Sequence, residues 1–147
     1  MLKPKTQVIE MAGKNYQLTK MDARTGSYVA FKVAGVLAPL ASKADGNTKV
    51  STADMAGALL GMPRKDFDEL QSLLLRTVNR LIEGPNAQQM PEPVLTAKGD
   101  FVDDALAYDA ATVIALTIRA LMFNVGDFFG AAGLILPAEL TELGSNR

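Results

Sequence analysis

The stretch RKDFDELQSLLLRTVNRLIEGP (residues 64–85) has a clear apolar period. Phe67, Leu70, Leu74, Val78 and Leu81 recur every three to four residues, with Leu73, Leu75 and Ile82 beside them. That spacing gathers apolar side chains on one face of a helix. The helix is expected to start after Met62-Pro63, at about Arg64 or Asp66. It should run to Ile82, where Gly84-Pro85 ends it.

Helical patterning continues on both sides. Upstream, Asp22 is placed to cap a helix over about Ala23–Leu40, with Tyr28, Val29, Val33, Val36, Leu37 and Leu40 as its apolar face and Pro39 marking its end. The polar run 42–50, SKADGNTKV, reads as a loop. Ser51 or Thr52 then caps a short helix over Ala53–Gly61. Downstream, residues 84–93 hold three prolines and read as a loop. Val94–Thr96 and Asp100–Val102 flank Lys98-Gly99 as a small hairpin. Asp103 or Asp104 opens the longest helix, about Ala105–Asn124, which is apolar around most of its circumference. A last short helix covers Asp127–Leu136. At the N-terminal end, residues 6–11 and 16–19 carry strand formers around a Gly-Lys-Asn turn and form a short β-hairpin.

The expected fold is therefore mainly α. It is a single compact helical domain of about five helices with a short N-terminal hairpin: hairpin 1–20, helical body 21–136 and polar tail 137–147. A chain of 147 residues can bury roughly 68–70% of its unfolded surface, so it needs no disulfide or metal staple.

Composition removes several function classes. With no His and no Cys, the chain has no imidazole acid/base catalysis, no Ser-His-Asp or Cys-His arrangement and no thiolate or imidazole zinc site. Fifteen basic against sixteen acidic residues give a net charge of −1, with no global positive field for nucleic acid or anionic membrane. The longest uncharged run, residues 128–138, is far short of the about 20 apolar residues a membrane-spanning helix needs. These features point to a cytoplasmic protein that is not an enzyme and binds no cofactor.

Three local constellations carry a sharper reading beside a plainer one. Asp100, Asp103 and Asp104 could ligate Mg²⁺ or Ca²⁺. Turn and helix-cap roles account for them better, and no metal site is assigned. Residues 52–78 could be a helix-turn-helix, with Arg64, Lys65, Arg76 and Arg80 on phosphates. Asp54, Asp66, Asp68 and Glu69 put acid where DNA would approach, so nucleic acid is disfavoured. In Gly126-Asp127-Phe128-Phe129-Gly130 the two rings diverge by about 100° on a helix and cannot both fill one core position. They either cap the long helix internally or form a sticky patch. With Phe123, Leu134 and Ile135 they make a candidate partner-binding or self-association surface.

Four pieces occur in order: Val8-Ile9-Glu10 with Gly13-Lys14, Tyr16 and Leu18 in a hairpin; Lys20-Met21-Asp22-Ala23-Arg24-Thr25-Gly26-Ser27 opening a helix; a helical middle; and Phe123-Asn124 with Asp127-Phe128-Phe129 after a long helix. This order over about residues 6–130 resembles the tail assembly chaperones of long-tailed bacteriophages and prophages. The resemblance implies a non-enzymatic protein of the host cytoplasm. Its client would be the tape measure protein, a long helical chain kept soluble until tail-tube subunits assemble around it. Phe123, Phe128, Phe129, Leu134 and Ile135 would be contact residues for apolar anchors of that client. The rival readings are a small structural component of the tail or virion and, further off, the nucleic-acid-binding regulator.

Overall fold

The N-terminal hairpin forms in a computed structural model of the chain, which describes residues 5–43 and 57–131, with side-chain surroundings for 5–36 and 57–126. Strand β1 (Thr6–Met11) pairs antiparallel with β2 (Lys14–Thr19), Ile9 opposite Tyr16 and Met11 opposite Lys14. The turn is Ala12-Gly13 rather than Gly-Lys-Asn. Both residues have positive φ, 54° and 76°, the primed geometry whose twist matches that of the strands.

The expected helix 64–82 is two elements. Helix α2 (Arg64–Leu75) ends in a turn closed by Arg76 N–H to Ser72 O at 3.0 Å and Thr77 Oγ1 to Leu74 O at 2.6 Å. Strand β3 (Val78–Glu83) follows and pairs with β2, Val78 opposite Leu18 and Arg80 opposite Tyr16. The proline-rich loop 84–93 contains a 3-10 turn (Pro85–Ala87) and a fourth strand, β4 (Gln89–Pro93), paired antiparallel with β3. The result is a four-stranded antiparallel sheet in the order β1-β2-β3-β4. The expectation of a mainly α chain with one minor hairpin is thus corrected: the fold is α+β. The physical reason is that Val78, Leu81 and Ile82 satisfy a helical period and a strand equally well. Pairing with β2 and β4 decides for the strand.

Helix α1 (Ala23–Lys43) begins where expected. Asp22 Oδ2 accepts from Thr25 N at 3.0 Å, and the helix runs through Pro39 instead of ending there. Residues 57–60 are helical; the rest of the expected helix 53–61 before Gly57 lies outside the described residues. The small hairpin after β4 reduces to a bridge between Leu95 and Phe101, with Thr96 N donating to Asp100 O at 2.7 Å. The longest helix starts later than read. Asp103 caps only a single turn, α3 (Asp104–Ala107), through Ala105 N at 3.1 Å. Asp109 then caps α4 (Ala110–Ala131), accepting from Thr112 N and Oγ1 at 3.1 and 2.6 Å. Residues 127–131, expected to open a separate helix, continue α4.

The chain divides into two compact units, Met1–Lys20 with Gln71–Leu121 and Met21–Leu70 with Met122–Arg147. In the first, one sheet face carries Ile9, Tyr16, Leu18 and Val78, all buried, and Leu74, Leu116, Ala120 and Leu121 are buried as well. The other face is half wet: Val8 is exposed, and Asn79 Nδ2 donates to Gln17 Oε1 at 3.2 Å. In the second, Val29, Ala30, Val33, Leu59, Leu70, Met122, Phe123 and Val125 are buried.

Candidate functional site

Helix α1 turns Val29 and Val33 inward and leaves Phe31, two residues on from Val29, 71% exposed. Two residues along a helix is about 200°, so Phe31 stands off the apolar stripe and on the solvent side. Segment 57–63 supplies a second wall, and within it Leu60 is 77% exposed. Between them lies a groove of about 500 Å³, lined among others by Phe31, Val36, Ala58, Met62 and Pro63, with Lys32 and Asp66 as its charged members. Glycine recurs in the lining at Gly35 and Gly61, which keeps the walls low.

The rim is tied by a small polar chain. Lys32 Nζ lies 3.5 Å from Asp66 Oδ1 and 3.4 Å from the Tyr28 hydroxyl, and sits 5.7 Å from the centre of the Tyr28 ring. Tyr28 in turn donates to Glu69 Oε1. The hydrogen bond to the Tyr28 hydroxyl outweighs the opposing effect of burial and, with the Asp66 charge as a lesser contribution, holds the Lys32 ammonium above its ordinary pKa. An apolar trough with its charges paired at the rim suits apolar side chains of a partner and offers little to a polar small molecule.

The sequence-derived candidates fall differently. Phe123 is buried, 5% exposed, so it offers little surface to a partner. Phe128 and Phe129 lie on α4, but their side chains are outside the described residues, as are Leu134 and Ile135 entirely. Beside Phe123, Asn124 Oδ1 accepts from Met21 N at 2.8 Å, which joins two of the motifs that carry the family resemblance. Phe31 and Leu60 were not read as site residues. The signal for Phe31 was an aromatic ring off the Val29-Val33-Val36 stripe.

The first unit holds a connected charge cluster. Arg80 Nη1 donates to Asp103 Oδ2 at 2.8 Å, and Nη2 donates to Glu92 Oε1 at 2.9 Å. Lys14 Nζ reaches the same Asp103 oxygen at 3.2 Å. The hydrogen bond from Lys14, then that from Ala105 N, holds the Asp103 carboxyl below the usual carboxylate range. Asp103 is therefore engaged as a cap and ion-pair acceptor. Among the described residues no three His, Cys, Asp or Glu side chains are grouped to hold a metal ion. The four basic residues of the helix-turn-helix reading do not share a helix. Arg64 pairs with Asp68 at 3.6 Å, Arg76 reaches Ala97 O from the turn after α2, and Arg80 is on β3. No described helix is long and apolar enough to cross a membrane.

Comparison with known families matches residues 12–136 to one described as phage tail assembly chaperone protein, TAC. Searches of curated proteins and of solved structures returned no match. The match takes in the hairpin turn, strands β2 to β4, the groove and all of α4, and the protein belongs to the phage tail assembly chaperone family.

Proposed function

We propose that this chaperone binds the tape measure protein of its tail and keeps it soluble while the tail is assembled. Membership of the family makes phage tail proteins its partners. The observation that carries the finer reading is the apolar trough lined by Phe31, which is 71% exposed, with Leu60, 77% exposed, on the segment that supplies its second wall. A helical client with apolar anchors at i, i+3/i+4 and i+7 would lay them along such a trough. Modest affinity, repeated along a long client by many copies, would be enough to hold it in solution.

The C-terminal candidates enter as a second contact. Phe128, Phe129, Leu134 and Ile135 would extend the apolar surface, while Phe123, buried in its unit, would support α4 rather than touch the client.

Co-expression with the cognate tape measure protein tests the proposal. With the native chain the client is expected in the soluble fraction. With Phe31→Ser and Leu60→Ser together it is expected in the pellet, since anchors of this kind carry about 2 kcal/mol or more each in a well-packed interface. A folded double variant that keeps the client soluble would remove the groove from the account. A tail component would remain in purified particles, whereas the chaperone should be absent from them by mass spectrometry.

A further inference from the structure

The two edges of the sheet are built differently. On β4, Val94 N donates to Val78 O and Gly84 N donates to Gln88 O, so the even-numbered residues bond to β3. The odd positions Gln89, Pro91 and Pro93 therefore face outward, and two of these three have no N–H to offer. On β1, Lys20 N donates to Lys5 O, which sets the odd-numbered residues toward β2. Thr6, Val8 and Glu10 face outward. All three are exposed, and their outward backbone groups make no backbone hydrogen bond among the described residues. This edge has no proline, bulge or inward charge to block a further strand.

We propose that the β1 edge is a self-association surface, where a second copy of this chain adds its own β1 antiparallel about Val8. The register is self-complementary. Val8 faces Val8 of the other copy across the two-fold axis, and Thr6 and Glu10 face each other, so each outward N–H and C=O meets an outward partner. The parity also keeps the sheet faces aligned, with Ile9 of both copies on the buried face and the exposed Val8 side chains brought together on the wet one. Charge favours the same arrangement: antiparallel pairing sets the basic end of one strand, at Lys5, beside the acidic end of the other, at Glu10. Parallel pairing would align like with like. A register shifted to oppose Glu10 to Glu10 would do the same. The joined sheet would have eight strands with a β4 at each outer edge, and Pro91 and Pro93 stop growth there. The assembly is a closed dimer rather than a fibre.

Sedimentation over a concentration series, with hydrogen exchange on the same samples, tests this in the full chain. The expected species is a dimer of twice 15.7 kDa, with the Thr6, Val8 and Glu10 amides protected when it predominates and exchanging freely on dilution. Val8→Lys, which opposes two ammonium groups across the axis, is expected to give a folded monomer, as is Val8→Pro, which removes only an outward N–H. Pro91→Val with Pro93→Val is expected to add species larger than a dimer. A native chain that stays monomeric overturns the proposal, even if a strand of another tail protein later takes this edge. A dimer whose three amides exchange freely overturns it as well, and needs no variant to fold.

Discussion

In the sheet-bearing unit a half-buried charge is matched by carboxylates, whereas in the helical unit an exposed ring, Phe31, lines an apolar groove. Arg80 is drawn in among two carboxylates and the Tyr16 strand, and the chain answers with two hydrogen bonds of 2.8 and 2.9 Å. Phe31 and Leu60 are 71% and 77% exposed. The difference separates two kinds of oddity. A half-buried charge that is matched from three elements serves stability, because removing any member strands the others. An exposed apolar side chain beside a trough is the kind of surface that the proposed partner would cover.

The largest effect on folding is expected at Arg80. Its side chain is 24% exposed, so its pairs are worth more than surface ones at about 0–1 kcal/mol. They are worth less than the 3–5 kcal/mol seen when a fully buried pair is broken. Arg80→Ala should therefore cost about 1–3 kcal/mol in denaturant unfolding. A cost indistinguishable from zero would mean the cluster is solvated decoration, and the comparison between the two units would lose one side.

A smaller, pH-dependent effect sharpens the same point. Asp103 is held low by Lys14 and the Ala105 amide, Asp109 by the Thr112 hydroxyl and amide, and Asp22 by those of Thr25. Each is depressed in the folded chain below an ordinary value of 3.8. The unfolded chain therefore takes up these protons first as pH falls. The stabilisation is complete above the ordinary value and is lost as pH drops through the lowered folded values. Thermal melts from about pH 5 down to about pH 2 should show a falling Tm. In Asp103→Asn the fall should be shallower, with the gap to the native chain closing toward low pH. A gap that does not change with pH would assign Asp103 a packing role only.

The smallest folding effect is expected at the groove. Phe31→Ser and Leu60→Ser should each shift unfolding by roughly 0.5 kcal/mol, the scale of ordinary surface changes. A loss of several kcal/mol would make these side chains part of a core and would erase the contrast from the other side.

How much of this could be read in the residues varies by element for physical reasons. The hairpin was legible from β-branched and aromatic residues around a glycine turn, and the Asp22 cap from its position. The break between Leu75 and Val78 carries neither Gly nor Pro. Its only local marks are the β-branched Thr77 and Val78, which a helical reading absorbs at small cost. Strand β4, QMPEP, has almost no strand propensity. It is a strand because β3 offers a partner and its prolines can face outward. Asp103 was recognised as a cap, yet its bonds to Arg80 and Lys14 depend on a sheet that had not been foreseen. For the site, the C-terminal aromatics stand out in the sequence and Phe31 does not, because the apolar period of α1 marks what the helix buries, not what it leaves outside.

The central claim is that the surface beside Phe31 and Leu60 receives the tape measure protein. A photo-crosslinking residue at position 60, introduced into the full chain and irradiated in cells that co-express the tail proteins, tests it most directly. The account expects a covalent adduct with the tape measure protein, and none when the same probe replaces exposed Tyr108 of the sheet-bearing unit. An adduct from position 108 and none from position 60, in chains that both keep the client soluble, would contradict it.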